Sequence, residues 1–308
     1  MKKEQEEFER LLEAFQQAQE RDDVEEAEAI GIQCLCLVSQ EAEEKPSESL
    51  RLIMEAHEHE NSAQWDQAEA TYKRALALAE AEGNSAMVYK RHDDLSSLYT
   101  MRNMPVRALE EALLALQAAR QAPLVLAMAL DGAARCYLAV KDLASAIHAV
   151  DELLQMIPAE KMYDTRRVRA LVLRAQCSVA QGEVESAQKD LDTAWPILAP
   201  QAHVRFFAGI QSCLAAWWET TAQINTSEKN TARAAQAMGK AVEFRRTVSQ
   251  LPQLEGPSKY YSLVRSLQRY SIILLAANEI KAAIEAFEES RAIQHQFGLT
   301  IHSTWDVP

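Results

Sequence analysis

Glycine and proline are scarce in this chain, with 8 and 9 among 308 residues. So little glycine leaves few places for a backbone to cradle phosphate, and the abundance of Ala, Glu, Gln and Leu favours helix throughout. Long apolar runs are missing too. No stretch approaches the roughly 18 to 20 residues that span a bilayer, and Met1 to Arg10 is charged, so neither a membrane span nor a secretory leader is expected. The five cysteines, Cys34, Cys36, Cys136, Cys177 and Cys213, lie inside helical patterns and read as small core residues rather than a disulfide framework. A cytoplasmic location is the expectation.

Catalytic spacing is missing as well. There is no nucleophile elbow and no Cys or Ser with a His base in register. His57-Glu58-His59-Glu60 is rich in metal-binding side chains, but histidines two apart point about 200° apart around a helix, so the stretch reads as an exposed polar face. Cys34-Leu35-Cys36 lacks the two-residue gap of redox or zinc pairs. No catalytic residue, metal or cofactor is expected, and an enzyme is the minority reading.

The formal charge of −13 is uneven. Residues 1–100 hold 24 acidic and 10 basic side chains, and the remainder is almost balanced. An acidic half repels nucleic-acid phosphates and anionic lipid, so neither is expected as a partner. It reads either as a solvated outer helix face or as a docking end for a basic partner.

What the chain has is a repeat. A small residue, a bulky one four along and another small one three further on recur as Ala68, Tyr72, Ala75; Ala108, Ala112, Ala115; Ala146, Val150, Leu153; Ala187, Leu191, Ala194; Ala234, Met238, Ala241; and Ala283, Phe287, Ser290, with a weaker opening copy at Ala27, Gly31, Cys34. The leading alanines stand 38 to 49 residues apart, a period that marks a solenoid of stacked units. Positions i, i+4 and i+7 share one helix face, so the alanines let a partner helix approach and the bulky member fills the gap. That partner helix precedes each copy, with matching sets such as Leu95, Ser96, Tyr99 and Leu267, Ser271, Leu274. Short polar turns join the two, at Gln64-Trp65-Asp66, Asn103-Met104-Pro105, Lys141-Asp142, Gln181-Gly182-Glu183 and Asn278-Glu279.

This order of small and aromatic positions resembles the tetratricopeptide repeat (TPR) family, best over residues 49–80 and 127–158 and in outline from Phe8 to Phe297. It departs in period, close to 40 against the family's 34, which points to a long-period variant with helices of about 15 to 18 residues. The resemblance implies an all-α, right-handed superhelical solenoid of about seven TPR-like hairpins filling one domain, 1–308. The expected repeats are 8–45, 49–83, 89–122, 127–158, 168–200, 203–250 with an inserted loop at 220–230, and 260–298, followed by a tail, 299–308.

In that family the first helices line a concave groove that holds a partner peptide or helix. Carried over by register, the groove would present Lys90, Asp93, Ser97, Asp131, Arg135, Arg169, Gln176, Arg265 and Gln268, a mixed-charge surface. The family's clamp for a terminal carboxylate is not matched, because Ile53, His57, Asp94 and Asp131 are among the residues at its positions. The most basic stretch, Lys161, Arg166, Arg167, Arg169 and Arg174, reads as solvated surface or as a receiver for an acidic segment. Trp217 and Trp218 read as core packed between helices, with an exposed anchor for a partner as the alternative. The expected function is a protein-interaction adaptor or scaffold. The alternative is a sensory module for a short peptide or small ligand, and the apolar C-terminal end either folds back or supports self-association.

Overall fold

The structure is a computed structural model that describes residues 10, 48–157, 165–202, 208–251, 254 and 258–299. The chain divides into two compact units, Met1–Arg51 and Leu52–Pro308. The expected opening repeat, 8–45, Cys34 and Cys36 and all of the tail but Leu299 lie outside the described residues. Among the described residues the regular structure is helical, with no strand.

Among the described residues from 48 onward, twelve α-helices follow one another: α1 (Glu48–Asn61), α2 (Trp65–Ala81), α3 (Ser85–Met101), α4 (Pro105–Ala119), α5 (Pro123–Ala139), α6 (Leu143–Met156), α7 (Thr165–Gln181), α8 (Val184–Leu198), α9 (Ala208–Ser227), α10 (Thr231–Ser249), α11 (Ser258–Ala276) and α12 (Ile280–Phe297). From α2 onward each helix packs on the next, and α3, α5, α7 and α9 also pack side by side. The result is a stack of hairpins in which first helices form one layer and second helices the other.

Local chemistry sets the helix ends. Asn84, Asp142 and Asn230 cap α3, α6 and α10 by accepting the N–H of Met87, Ser145 and Arg233. Each hairpin turn bends through one residue of positive φ: Ala63, Asn103, Lys141, Gly182, Lys229 or Asn278. The next N–H then closes onto the last turn of the first helix, as Gln64 does onto His59 O at 2.8 Å and Glu279 onto Leu274 O at 2.8 Å.

The small-bulky-small positions form the seam. In α2, α4, α6, α8 and α10 all three members are buried. The bulky one reaches into the following hairpin: Tyr72 packs with Leu95, Leu98 and Tyr99, Leu191 with Cys213 and Leu214, and Met238 with Tyr270 and Ile273. The last copy corrects the pattern. Ala283 and Ser290 are buried, Ala286 joins them, and Phe287 is 47% exposed. No hairpin follows α12 among the described residues, so Ile280, Ile284 and Phe287, at i, i+4 and i+7, form an open apolar stripe.

A second correction concerns residues 220–230. The polar run read as loop instead completes α9 as far as Ser227. Thr220, Thr221, Asn225, Thr226 and Ser227 donate their side chains to carbonyls four residues back, while Ala222 and Ile224 enter the core. Satisfied within its own helix, this turn-forming composition no longer breaks it. Nearby, Trp195, Trp217 and Trp218 meet edge and face, with centroids 4.6 to 6.1 Å apart; Trp217 donates to Leu191 O at 3.0 Å and Lys240 lies over Trp218. The three rings are half-buried and join α8, α9 and α10.

Candidate interaction face

The polar residues of the first helices separate into a solvent-facing row and groups locked between helices. On α3, Lys90 bridges Asp93 at 3.1 Å and Asp94 at 2.8 Å. Burial pulls the Lys90 ammonium down, but Asp94 and Asp93 together hold it above its ordinary value. Tyr89 beside them is pushed up to about 12, by burial first and by Asp93 second. Gly132 of α5 faces this group, and a Cβ there would lie 3.7 Å from Asp93 Oδ1, so α3 and α5 run close at this level.

On α5, Asp131 accepts from Arg169 of α7 at 2.6 Å and pairs with Arg135 at 3.3 Å. Its side chain is 14% exposed, against 44% and 55% for the two arginines. One carboxylate thus ties neighbouring first helices together and leaves two guanidinium groups facing solvent with donors to spare. Ser97 is exposed and Gln176 half-buried. Arg265 is exposed on α11, its guanidinium 5.8 Å from the Tyr261 ring. Gln268 departs from expectation: it is buried and donates to Gln294 of α12, because its side of α11 faces its own hairpin.

The basic stretch around Arg169 divides in the same way. Arg174 donates to Asp190 of α8 and Asp151 of α6 at 2.7 to 2.8 Å, which commits it to second helices, while Arg169 serves the first-helix row. Lys161 lies outside the described residues.

Two polar groups escaped the sequence reading. Arg91 and Asp94, one turn apart on α3, are both buried beside Tyr72, whose hydroxyl donates to Glu60 at 2.8 Å. Burial pushes the Glu60 carboxyl up, opposed by the Tyr72 hydrogen bond and the His57 charge. Farther along, Glu219 of α9 accepts a fork from Arg245 of α10 at 3.0 and 3.3 Å and a bond from Ser266 of α11 at 2.6 Å. Burial alone would raise Glu219, yet Arg245, Arg269 and Ser266 hold it below the usual carboxylate range. These partners stand 26 to 50 residues apart, and no local spacing announces them.

Burial pushes the Cys177 and Cys213 thiols up to about 11, and Cys136 is also buried and free. Among the described residues no three His, Cys, Asp or Glu side chains converge as for a metal ion, and no helix is long and apolar enough to cross a membrane.

No protein-family model matches the chain, and no curated protein does. Solved structures do. A Rap protein complexed with competence and sporulation factor superposes with a TM-score of 0.62 over 96% of this chain and 76% of its own, at 13% identity. A tetratricopeptide repeat protein from Parabacteroides merdae ATCC 43184 does so with a TM-score of 0.55 over 96% and 99%, at 15% identity. The fold is a tetratricopeptide-like repeat array. In this TPR-like array the first helices carry the row of Lys90, Asp93, Asp131, Arg135 and Arg169, and the alanine seam lies between the layers.

Proposed function

We propose that the chain is an interaction adaptor that holds an extended segment of another protein along the first helices α3, α5, α7, α9 and α11. One observation carries this reading: Asp131 fixes Arg135 and Arg169 in place across two helices while leaving both guanidinium groups about half exposed. Side chains oriented in advance, with donors unspent, lose less entropy when a ligand arrives. Lys90, Asp93, Ser97, Gln176 and Arg265 extend the same surface in this proposal, and Gln268 drops out of it. The Rap structure that shares the fold holds a bound factor, which supports ligand capture by an array of this kind. No catalytic role is part of the proposal, and three buried free thiols favour a reducing compartment such as the cytoplasm.

The test places a photoreactive amino acid at Ser97 and, separately, at Arg135. Irradiation of native lysate is expected to crosslink the same partner from both positions and not from Glu185 on the second-helix layer. Crosslinks from Glu185 alone, or none from either groove position, would sink the reading.

A second reading, a sensor that changes pitch on binding, draws on a contact between distant hairpins: Tyr261 of α11 donates to Thr100 O of α3 at 2.9 Å. The open stripe Ile280, Ile284 and Phe287 is where self-association through the C-terminal end would form. Sedimentation velocity checks it, with Ile284→Lys expected to abolish any dimer.

A further inference from the structure

The second-helix layer ends on a face that no described helix covers. In α12 the side chains of Ile280, Ile284 and Phe287 are 57%, 51% and 47% exposed, and their spacing sets them in one stripe about 10 Å long. Along one edge the stripe meets Ala283 and Ala286, which pack with Leu267 and Leu274 of α11. Along the other edge runs a charged rim: Lys281 and Glu288, both exposed and two turns apart, lie one above the other. Lys281 is 93% exposed and reaches only Glu285, at 3.9 Å, a surface pair of little strength. Glu288 makes no ion pair among the described residues.

A stripe with such a rim is complementary to itself turned end for end. Two α12 helices laid antiparallel about a twofold axis near Ile284 bring Ile284 against its own copy and Ile280 of each against Phe287 of the other. The same register sets Lys281 of each copy opposite Glu288 of the other, so one symmetry operation makes two pairs of opposite charge. A parallel arrangement instead sets Lys281 against Lys281 and Glu288 against Glu288, which repel. The rim therefore selects one direction, as the charged positions beside a coiled-coil seam do. The formal charge of −13 on each copy opposes approach at long range, so the pairing acts where salt has screened that repulsion.

We infer that α12 is a face for a second copy of this chain, the two helices meeting antiparallel through Ile280, Ile284 and Phe287 with Lys281 and Glu288 paired across the axis. This rests on the self-association reading above, is independent of the groove, and adds to that reading the direction and register of the contact. The same patch serves both copies, so the assembly closes at two and leaves no free end to propagate. Three half-exposed side chains from each copy make a small interface, which places the dimer in the weak, concentration-dependent class.

Sedimentation of the full chain over a concentration series at physiological ionic strength tests this. A monomer–dimer equilibrium that stops at two copies is expected, with Ile284→Lys monomeric throughout. Lys281→Glu and Glu288→Lys should each raise the dimer Kd about tenfold, because each replaces two attractive pairs by two repulsive ones. The double variant, which exchanges the two charges, should return Kd to the parent value. Lys189→Glu, the same charge change at an exposed position of α8, should leave Kd unchanged. All of these positions are exposed, so the variants keep the fold, and circular dichroism of each confirms it. If Ile284→Lys abolishes the dimer while the single reversals leave Kd alone, or the double variant is not restored, self-association stands and the antiparallel register falls. Species that grow beyond two copies also overturn the register, since they require head-to-tail contacts. A chain that stays monomeric, or a dimer indifferent to Ile284→Lys, removes the register and the self-association reading together.

Discussion

Ala63, Lys141 and Lys229 hold φ between 55° and 65° at hairpin turns where Gly182 occupies the equivalent place in another hairpin. A Cβ in that region crowds the backbone by about 1 kcal/mol, and glycine avoids it while giving back part of the gain through a freer unfolded chain. Ala63→Gly, Lys141→Gly and Lys229→Gly are each expected to raise unfolding stability by about 0.5 kcal/mol in urea titrations, and Gly182→Ala to lower it by a comparable amount. Two buried carboxylates give opposite pH signatures. Glu219 sits below its ordinary range, so its contribution is complete above the unfolded pKa and is lost as pH falls through the folded one. Glu60 sits above, so folding favours its protonated form, and that contribution fades as pH rises through the ordinary range to the raised value. Glu219→Gln should cost about 3 to 5 kcal/mol at neutral pH, because Arg245 is left buried without its partner charge. Glu60→Gln, which still accepts from Tyr72, should match or exceed the parent at neutral pH. Denaturant melts between about pH 4 and 8 read both, and a neutral-pH loss in Glu60→Gln would contradict the assignment.

At the scale of the element, the seam was legible because its cause is local. Small residues at i and i+7 set how closely two helices approach, and that requirement shows in the letters themselves. Five seams are buried as the spacing demands; the sixth fails at Phe287 because the bulky member needs a following hairpin, which spacing within one helix does not supply. The same position should therefore respond differently along the chain. Leu191→Ala, which empties a site against Cys213 and Leu214, is expected to cost about 2 to 5 kcal/mol, whereas Phe287→Ala should stay within about 0.5 kcal/mol. Enlarging the fully buried small member, Ala187→Leu, should cost about 1 to 3 kcal/mol by forcing α7 and α8 apart. The misreading of α9 has the opposite origin. Thr, Asn and Ser favour turns by composition, and that preference is reversed by their bonding to carbonyls one turn back, together with burial of Ala222 and Ile224.

At the scale of the second unit, nearly all packing joins consecutive helices, and stability in such arrays is close to a sum of hairpin and neighbour terms. The polar row on the first helices could be placed by register, since each hairpin presents the same face. The partners of Glu219 and the reach of Tyr261 could not, because they depend on rotation accumulated over several hairpins. Tyr261 is the informative case: its hydroxyl bonds to a carbonyl 161 residues away, so the last hairpin touches the second described hairpin. A neighbour-only array can melt from its ends in stages, whereas one whose distant hairpins touch gains a term that couples them. Tyr261→Phe keeps the ring among Val264 and Leu299 and removes only the hydrogen bond. It is expected to lower unfolding stability by about 1 kcal/mol and, more tellingly, to reduce the urea m-value by separating the ends from the middle. A variant with lower stability but an unchanged m-value would mean that the contact adds energy without coupling the hairpins, and the pitch-sensing reading would lose its support.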